Sequence, residues 1–270
     1  MATNKVMLQS VNAQGRLMGF ANLFRKEHNE WWGTRTWLIH AVIWLLLING
    51  ILFGVLKSPV PTEIENAPPP PSGTMIFVIM SGLMTGLGII LVMQGAILDE
   101  KKSGTAAWVL SKPLSRPAFI LAKLGANSLA ALLIMVALQG VVAFVQMRAF
   151  DPAPPAPLPF LVGMGLLALH LLFYLSLTLM LGTIFKDRAA VMGITIGLLF
   201  GAQFVAGIFP VLVKGLPWLI VMPVNEYPLP LAQLVMSGQP LPLVTPIIGT
   251  VVLIVVFVGV ALWRFEREEF

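Results

Sequence analysis

The sequence predicts an all-α polytopic membrane protein, with six transmembrane helices, an N-terminal amphipathic interfacial helix and both termini cytoplasmic. Three observations lead there. Hydrophobic residues make up 57% of the 270 residues and charged residues only 11%, too few to solvate a soluble globule of this size. Several apolar runs exceed the roughly 20 residues needed to cross a hydrocarbon core of about 30 Å. In lipid such runs must satisfy their backbone groups internally, as helices do. Finally, Lys and Arg gather in alternate connections, the bias that orients helices across a membrane. The alternating segments of about ten residues that mark a membrane β-barrel do not occur.

Residues 1–36 form a cytoplasmic amino-terminal segment. Its start, MATNKVMLQSVNAQGR, has no apolar core of signal-peptide length, so no cleaved leader is expected. Leu17, Phe20, Phe24 and Trp31 then recur at helical spacing, while Arg16, Asn22, Arg25, Lys26 and Asn29 fall mostly elsewhere around the wheel. A helix of this kind suits the interface plane, aromatic residues among the headgroups and basic ones near anionic lipid. It serves either as a surface anchor or as a protein-docking element, and the two roles are compatible. Trp31, Trp32 and Trp37 form an aromatic belt at the inner boundary.

Residues 37–270 make up the membrane domain, with spans at 37–56, 75–98, 118–145, 158–185, 189–213 and 241–263. Several exceed the minimum length, which permits tilt. KSPVPTEIENAPPPPSG joins the first two spans and RAFDPAPPAPLP the third and fourth. Proline at this density gives stiff, extended links instead of folded domains. The external proline-rich segment 214–240 holds Pro217, Pro223, Pro228 and Pro230 around short apolar runs. One or two short helices are expected there, at the membrane surface or dipping into it.

Orientation follows from the cations. With both termini inside, the inner side holds Lys5, Arg16, Arg25, Lys26, Arg35, Lys101, Lys102, Lys112, Arg116, Lys123, Lys186, Arg188, Arg264 and Arg267. The outer side holds only Lys57, Arg148 and Lys214, beside Glu63, Glu65, Asp151 and Glu226. Fourteen against three fixes the topology.

Chemistry within the spans is sparse. The absence of cysteine excludes disulfides and thiolate chemistry. His28 and His40 lack metal-ligand spacing, and His170, the deepest titratable group, is expected to bond a neighbouring helix. Neither H-E-x-x-H nor a buried aspartate pair occurs, so an intramembrane protease is not expected. No Asp, Glu, Lys or Arg lies deep in a span, whereas ion-coupled carriers keep such groups at depth. Small residues stand out instead. Gly193, Gly197 and Gly201 recur every four residues in the fifth span, and Gly82, Gly86 and Gly88 lie in the second. That spacing lets helix backbones approach closely in lipid, within one subunit or between two.

The central loop 99–117 is the most distinctive part. Asp99, Glu100, Lys101 and Lys102 leave the second span as a polar cluster, and Ser103–Gly104–Thr105 can recap the chain. Ala106 to Ser111 suffices for one to two helical turns, which Lys112–Pro113 ends. Ser115–Arg116–Pro117 then starts the third span, proline being tolerated in a first turn. The predicted object is a short helix across the membrane surface, presenting Trp108, Val109 and Leu110 among charges. An ordinary tight turn would need far fewer residues.

These residues carry a resemblance. Glu100–Lys101, Gly104–Thr105, Trp108–Leu110, Pro113–Leu114–Ser115–Arg116 and Lys123, with Arg25–Lys26–Glu27 upstream, resemble the membrane subunits of type-2 (ABC-2) ABC transporters along the whole chain. Ala106–Ala107, where the family usually has bulkier or charged residues, and the proline-rich external links depart from its pattern, which blunts any subfamily assignment. The resemblance implies two permease subunits, alike or different, above two ABC ATPase subunits that bind ATP and Mg. This chain has no G-x-x-x-x-G-K-[ST] phosphate loop. It is therefore expected to be no enzyme and to hold no cofactor itself, with lipid and protein as partners and no nucleic acid.

The resemblance assigns ATPase coupling to Glu100, Lys101, Gly104, Thr105, Trp108, Pro113 and Arg116. The Lys186–Asp187–Arg188 turn reads either as coupling or as plain topological charge. By the same analogy the second and fifth spans face the partner subunit. Met84, Gln94, Phe200, Gln203 and Phe204 would line the substrate pathway, and Gly193, Gly197 and Gly201 would pack helices. Walls without ionisable groups disfavour strongly charged solutes. The leading expectation is export of a hydrophobic or amphipathic compound (drug, lipid-like molecule or peptide) across a prokaryotic cytoplasmic membrane. A non-transporting anchor or regulator of an ABC ATPase is second, a secondary transporter third.

Overall fold

The computed structural model describes residues 15, 17–58, 72–224 and 227–268, with the backbone alone at 202, 203 and 210. The expectations on Lys5, Arg16, Glu63, Glu65 and Glu226, and on most of the first proline-rich link, fall outside these residues. Regular structure among the described residues is helical, apart from an isolated bridge between Val224 and Tyr227. In order come α1 (Phe20–Trp32), α2 (Thr36–Lys57), α3 (Gly73–Met93), α4 (Leu98–Lys102), α5 (Thr105–Leu110), α6 (Arg116–Phe150) and α7 (Pro157–Ile184). Then follow α8 (Arg188–Phe200), α9 (Ala202–Ile208), α10 (Pro210–Val213), α11 (Trp218–Val221), α12 (Leu231–Met236) and α13 (Thr245–Glu266).

Five helical stretches among the described residues are long and apolar enough to cross a membrane: α2, α3 running on into α4, α6, α7 and α13. Their limits lie within a few residues of the predicted ones. The fifth predicted span, 189–213, is not one helix. α8 has 13 residues, about 20 Å at 1.5 Å per residue, and the chain turns at Gly201 before α9. A second break comes at Phe209, whose φ of −130° and ψ of 69° leave the helical region. Pro210 imposes this, because its ring disfavours the helical conformation in the residue before it.

α7 is the core helix, packed against α3, α6, α12 and α13. The segment 214–240 does form short helices, and both dip inward. Every residue of α11 is buried, as are Leu231, Ala232 and Met236 of α12. Glycines receive them: a Cβ at Gly82 of α3 would run into Val221, and one at Gly163 of α7 into Met236. Gly82 lies nine residues inside α3, so α11 reaches about 14 Å into the bundle. Gly86 meets Leu199 and Gly88 meets the Trp44 ring, so the small residues of the second span pack within the chain. Gly193 and Gly197, by contrast, have no neighbour within reach of a Cβ, and Gly201 meets only the Gly197 carbonyl of its own helix turn.

Two further features lie at mid-bundle. α2 and α6 each contain a wide π turn, Leu45–Asn49 and Leu132–Ala137, where backbone bonds reach five residues back. Leu138 N–H bonds Leu133 O, and the Ile134 carbonyl instead accepts from Gln139 Nε2 at 3.1 Å. Gln139 Oε1 in turn accepts from Asn49 Nδ2 at 2.8 Å, tying one wide turn to the other. His170 is fully buried, edge-on to Tyr174, and faces the backbone of Pro217 and Gly82. Neither of its nitrogens has a hydrogen-bond partner of ordinary geometry among the described residues, although the neighbouring helix α3, of the kind it was expected to bond, lies against it.

Candidate functional site at the charged end of the bundle

α1 is docked on the bundle by one face. Its buried face is Leu23, Glu27 and Trp31, one residue per turn, docked on α6. Phe20 and Phe24 pack beside that face, and Leu17 is exposed. Trp31 leaves the expected aromatic belt: its Nε1–H donates to Asn127 Oδ1 of α6 at 2.9 Å, and Asn127 donates to the Lys123 carbonyl. A carboxylate inside a helix-packing face needs a cation. Lys123, only 3% exposed, supplies it.

The Lys123 ammonium lies 2.9 Å from Glu27 Oε1 and 2.9 Å from Glu100 Oε1. Lys26 adds a second cation, 3.2 Å from Glu27, 3.1 Å from Glu30 and 3.4 Å from Glu100. Burial alone would lower the pKa of Lys26; the three carboxylates outweigh it and raise the pKa above the ordinary lysine value. The cluster joins α1, the exit of α3 and the first half of α6.

Neighbouring pairs extend it. Arg188 Nε donates to Asp99 Oδ1 at 3.0 Å, and Lys102 lies 3.7 Å from Asp187. Lys101 meets Glu268 at 2.7 Å and the Thr183 carbonyl at 3.4 Å. Arg116 donates to the Glu266 carbonyl, and Phe119 stacks on Phe265 at 5.0 Å between centroids. The charged end of the bundle is thus a clasp that includes the end of α13.

Within this frame the central loop is built as expected. Gly104 adopts φ 73°, a left-handed conformation that favours glycine. The Thr105 amide donates to Ser103 Oγ, α5 follows, and Ser115 Oγ accepts from the Ala118 amide at the start of α6. α5 buries Ala106 and half-buries Thr105, Val109 and Leu110. Trp108 is 62% exposed, with the Lys112 ammonium 3.5 Å above its ring. Pro113, like Gly104, lies on the open surface.

The expected coupling residues therefore divide. Gly104, Trp108, Pro113 and Lys186 are exposed; Thr105 is half-buried, and Asp187 and Arg188 are exposed but paired with Lys102 and Asp99. Glu100 and Lys101 are held inward by charges within the chain, whereas Arg116 is half-buried and bonded to the Glu266 carbonyl. The expected pathway residues are not gathered in one place. Met84 packs on the core, Gln94 lines a cleft beside the clasp, and Phe200 and Phe204 are exposed. The side chain of Gln203 lies outside the described residues. Missed from the sequence were Glu30, Asn127 and Glu268, and the pairing of Lys26 and Glu27 with Glu100 and Lys123. The Lys26–Glu30 spacing was the visible signal; the partners of Glu27 and Glu268 lie far along the chain.

Over 202 residues the chain is 27% identical to the uncharacterized transmembrane protein YxlG of Bacillus subtilis (strain 168), covering 74% of this chain and 75% of that protein. The family described as ABC-2 family transporter protein matches residues 4–270. With nearly its whole length matched, the chain belongs to the ABC-2 family of transporter proteins.

Proposed function

We propose that this chain is the membrane-spanning permease subunit of an ATP-driven exporter in a prokaryotic cytoplasmic membrane. It works as a dimer, homo- or heteromeric, above two ABC ATPase subunits. ATP and Mg reside on the ATPase, and the cargo is hydrophobic or amphipathic. The charged end faces the cytoplasm, where the excess of Lys and Arg belongs. The segment from Arg188, beside Asp99, to Lys214, whose carbonyl accepts from Thr245 at 2.7 Å, makes a sixth, broken crossing. The open faces of Gly193 and Gly197 then lie toward the second permease subunit.

The observation that carries this function is α5, a short helix braced between two long ones with a large exposed aromatic residue. Tryptophan held on a rigid element is a frequent anchor at protein interfaces. A push on α5 reaches α3 and α6 directly through the polypeptide. The Glu100–Lys123–Glu27 clasp carries it on to α1.

The test is Trp108→Glu in tagged full-length protein. Wild type should retain a phosphate-loop ATPase on purification and support ATP-dependent export. The variant should lose both while keeping its melting temperature. Retention of the ATPase and of export would remove α5 from the contact. ATPase retention by wild type with no export of any amphiphile would favour an anchoring role instead.

A further inference from the structure

A cleft of about 420 Å³ opens beside the clasp, between α1, the first turns of α2, the exit of α3, α6 and the start of α8. Its lining is graded. Glu27, Glu30, Asp99 and Glu100 gather at the charged end, with Lys123 and Arg188 as the lining cations. Lys26, just outside the lining, bridges Glu27, Glu30 and Glu100, so four carboxylates face three cations and one negative charge is left over. Trp31 and His40, their rings 5.4 Å apart between centroids, form an aromatic wall. Leu91, Val92 and Ala96 continue the wall toward the middle of the bundle, and Leu91 is exposed. One polar atom has been left over: Glu100 Oε2 is shielded from solvent and has no hydrogen-bond partner among the described residues.

We propose that this cleft binds the ammonium headgroup of an amphiphile, with the tail along Leu91 and Val92. An ammonium suits each part of the lining. It donates to carboxylates, adds the missing positive charge, and is attracted to aromatic faces. The apolar wall continuous with the polar floor requires a tail, so a free amine would use only half of the site. An anionic headgroup would meet the negative excess and find both lining cations already paired. Two sources carry the same chemistry: an ethanolamine phospholipid of the inner leaflet, and an amphipathic amine awaiting export. Binding does not depend on export, so its failure and the failure of the permease reading are separable.

The test uses the full chain in a maltoside detergent and native mass spectrometry. Phosphatidylethanolamine and phosphatidylglycerol with identical acyl chains are added in equal amounts. Wild type should retain the ethanolamine lipid at least fivefold over the glycerol lipid. Glu30 is exposed and, among the described residues, pairs only with Lys26, so Glu30→Lys should abolish that preference without lowering the melting temperature, and Glu30→Asp should largely keep it. Equal retention by wild type, or an unchanged preference in Glu30→Lys, overturns the site. Dodecylammonium, titrated below its micelle concentration, should displace the lipid in wild type, and failure to do so also overturns the site. Its ATP-dependent movement in proteoliposomes with the ATPase identifies the site as a cargo entrance. Displacement without movement identifies a resident lipid site.

Discussion

Lys123→Met is the sharpest probe of the clasp. Lys123 holds two carboxylates at 2.9 Å, one from α1 and one from the exit of α3, in nearly complete burial. At that distance and an effective dielectric near 20, each contact is worth roughly 6 kcal/mol before desolvation is subtracted. Removing one partner of a buried pair destabilises by about 3–5 kcal/mol, because the opposite charge stays buried and uncompensated. Here Lys26 remains 3.2 Å from Glu27 and 3.4 Å from Glu100, which points to the lower end, about 3 kcal/mol.

The assay is a double-mutant cycle on thermal unfolding of detergent-solubilised protein. Lys123→Met alone should lower the melting temperature clearly, and Glu27→Gln alone should lower it less. The double variant should be more stable than additivity allows, because neither charge is then left unpaired. A disulfide between cysteines placed across α1 and α6 should form more slowly in Lys123→Met than in wild type. An unchanged melting temperature in Lys123→Met, or strict additivity in the cycle, would refute the clasp.

Other outcomes follow from the packing. Gly82→Leu should expel Val221 and destabilise by at least about 1–3 kcal/mol, the usual range for overpacking. Gly197→Ala should leave a solubilised monomer as stable or slightly more so, since alanine is favoured in helices by up to about 1 kcal/mol; any loss of dimer, read by cross-linking, then locates the subunit contact. Gln139→Leu should cost about 1 kcal/mol through the lost bond to Asn49, and Asn49→Leu in addition should cost little more, measured by unfolding in mixed micelles. The native chain has no cysteine, so Gln239→Cys should react with an impermeant thiol reagent in intact cells and Ser103→Cys only after permeabilisation; the reverse pattern would invert the topology.

Where the sequence was legible, one local signal sufficed. Apolar length placed α2, α3, α6, α7 and α13. The Gly104 turn and the Pro113 stop framed α5, and the prolines of 214–240 announced the breaks around α11 and α12. Gly201 and Pro210 were equally visible, but the apolar run of 189–213 outweighed them and hid the interrupted helix. The clasp was illegible for a different reason. Glu27 interrupts the apolar stripe between Leu23 and Trp31, so periodicity joined Trp31 to Leu17, Phe20 and Phe24 and passed over Leu23. Its partner Lys123 is 96 residues away, and spacing along the chain says nothing about that distance. The π turns left no hydrophobic trace; only the amides Asn49 and Gln139, polar residues at membrane depth, marked them.

The clasp also changes how the central loop can act. Glu100 looks like a surface charge waiting for a partner protein, yet it is held inside by Lys123 and Lys26. A partner pressing on Trp108 therefore meets a loop whose base is fixed to α1 and α6, and whose Lys101 is fixed to the end of α13. Force applied at α5 has no slack to absorb it. On the permease reading it turns the inner halves of α2 and α6 together, since α1 joins α2 in sequence and grips α6 through Glu27 and Trp31. Above them, Asn49 and Gln139 tie the same two helices at their wide turns, where the backbone bonding is already interrupted. Wide turns of this kind are common where helices change shape in function. On the permease reading, the inner halves of α2 and α6 move as one body and hinge at that amide pair. The Asn49→Leu, Gln139→Leu double variant should then keep its ATPase and hydrolyse ATP while exporting less. Full export by that variant would mean that the two helices move as rigid rods and that the wide turns serve packing alone.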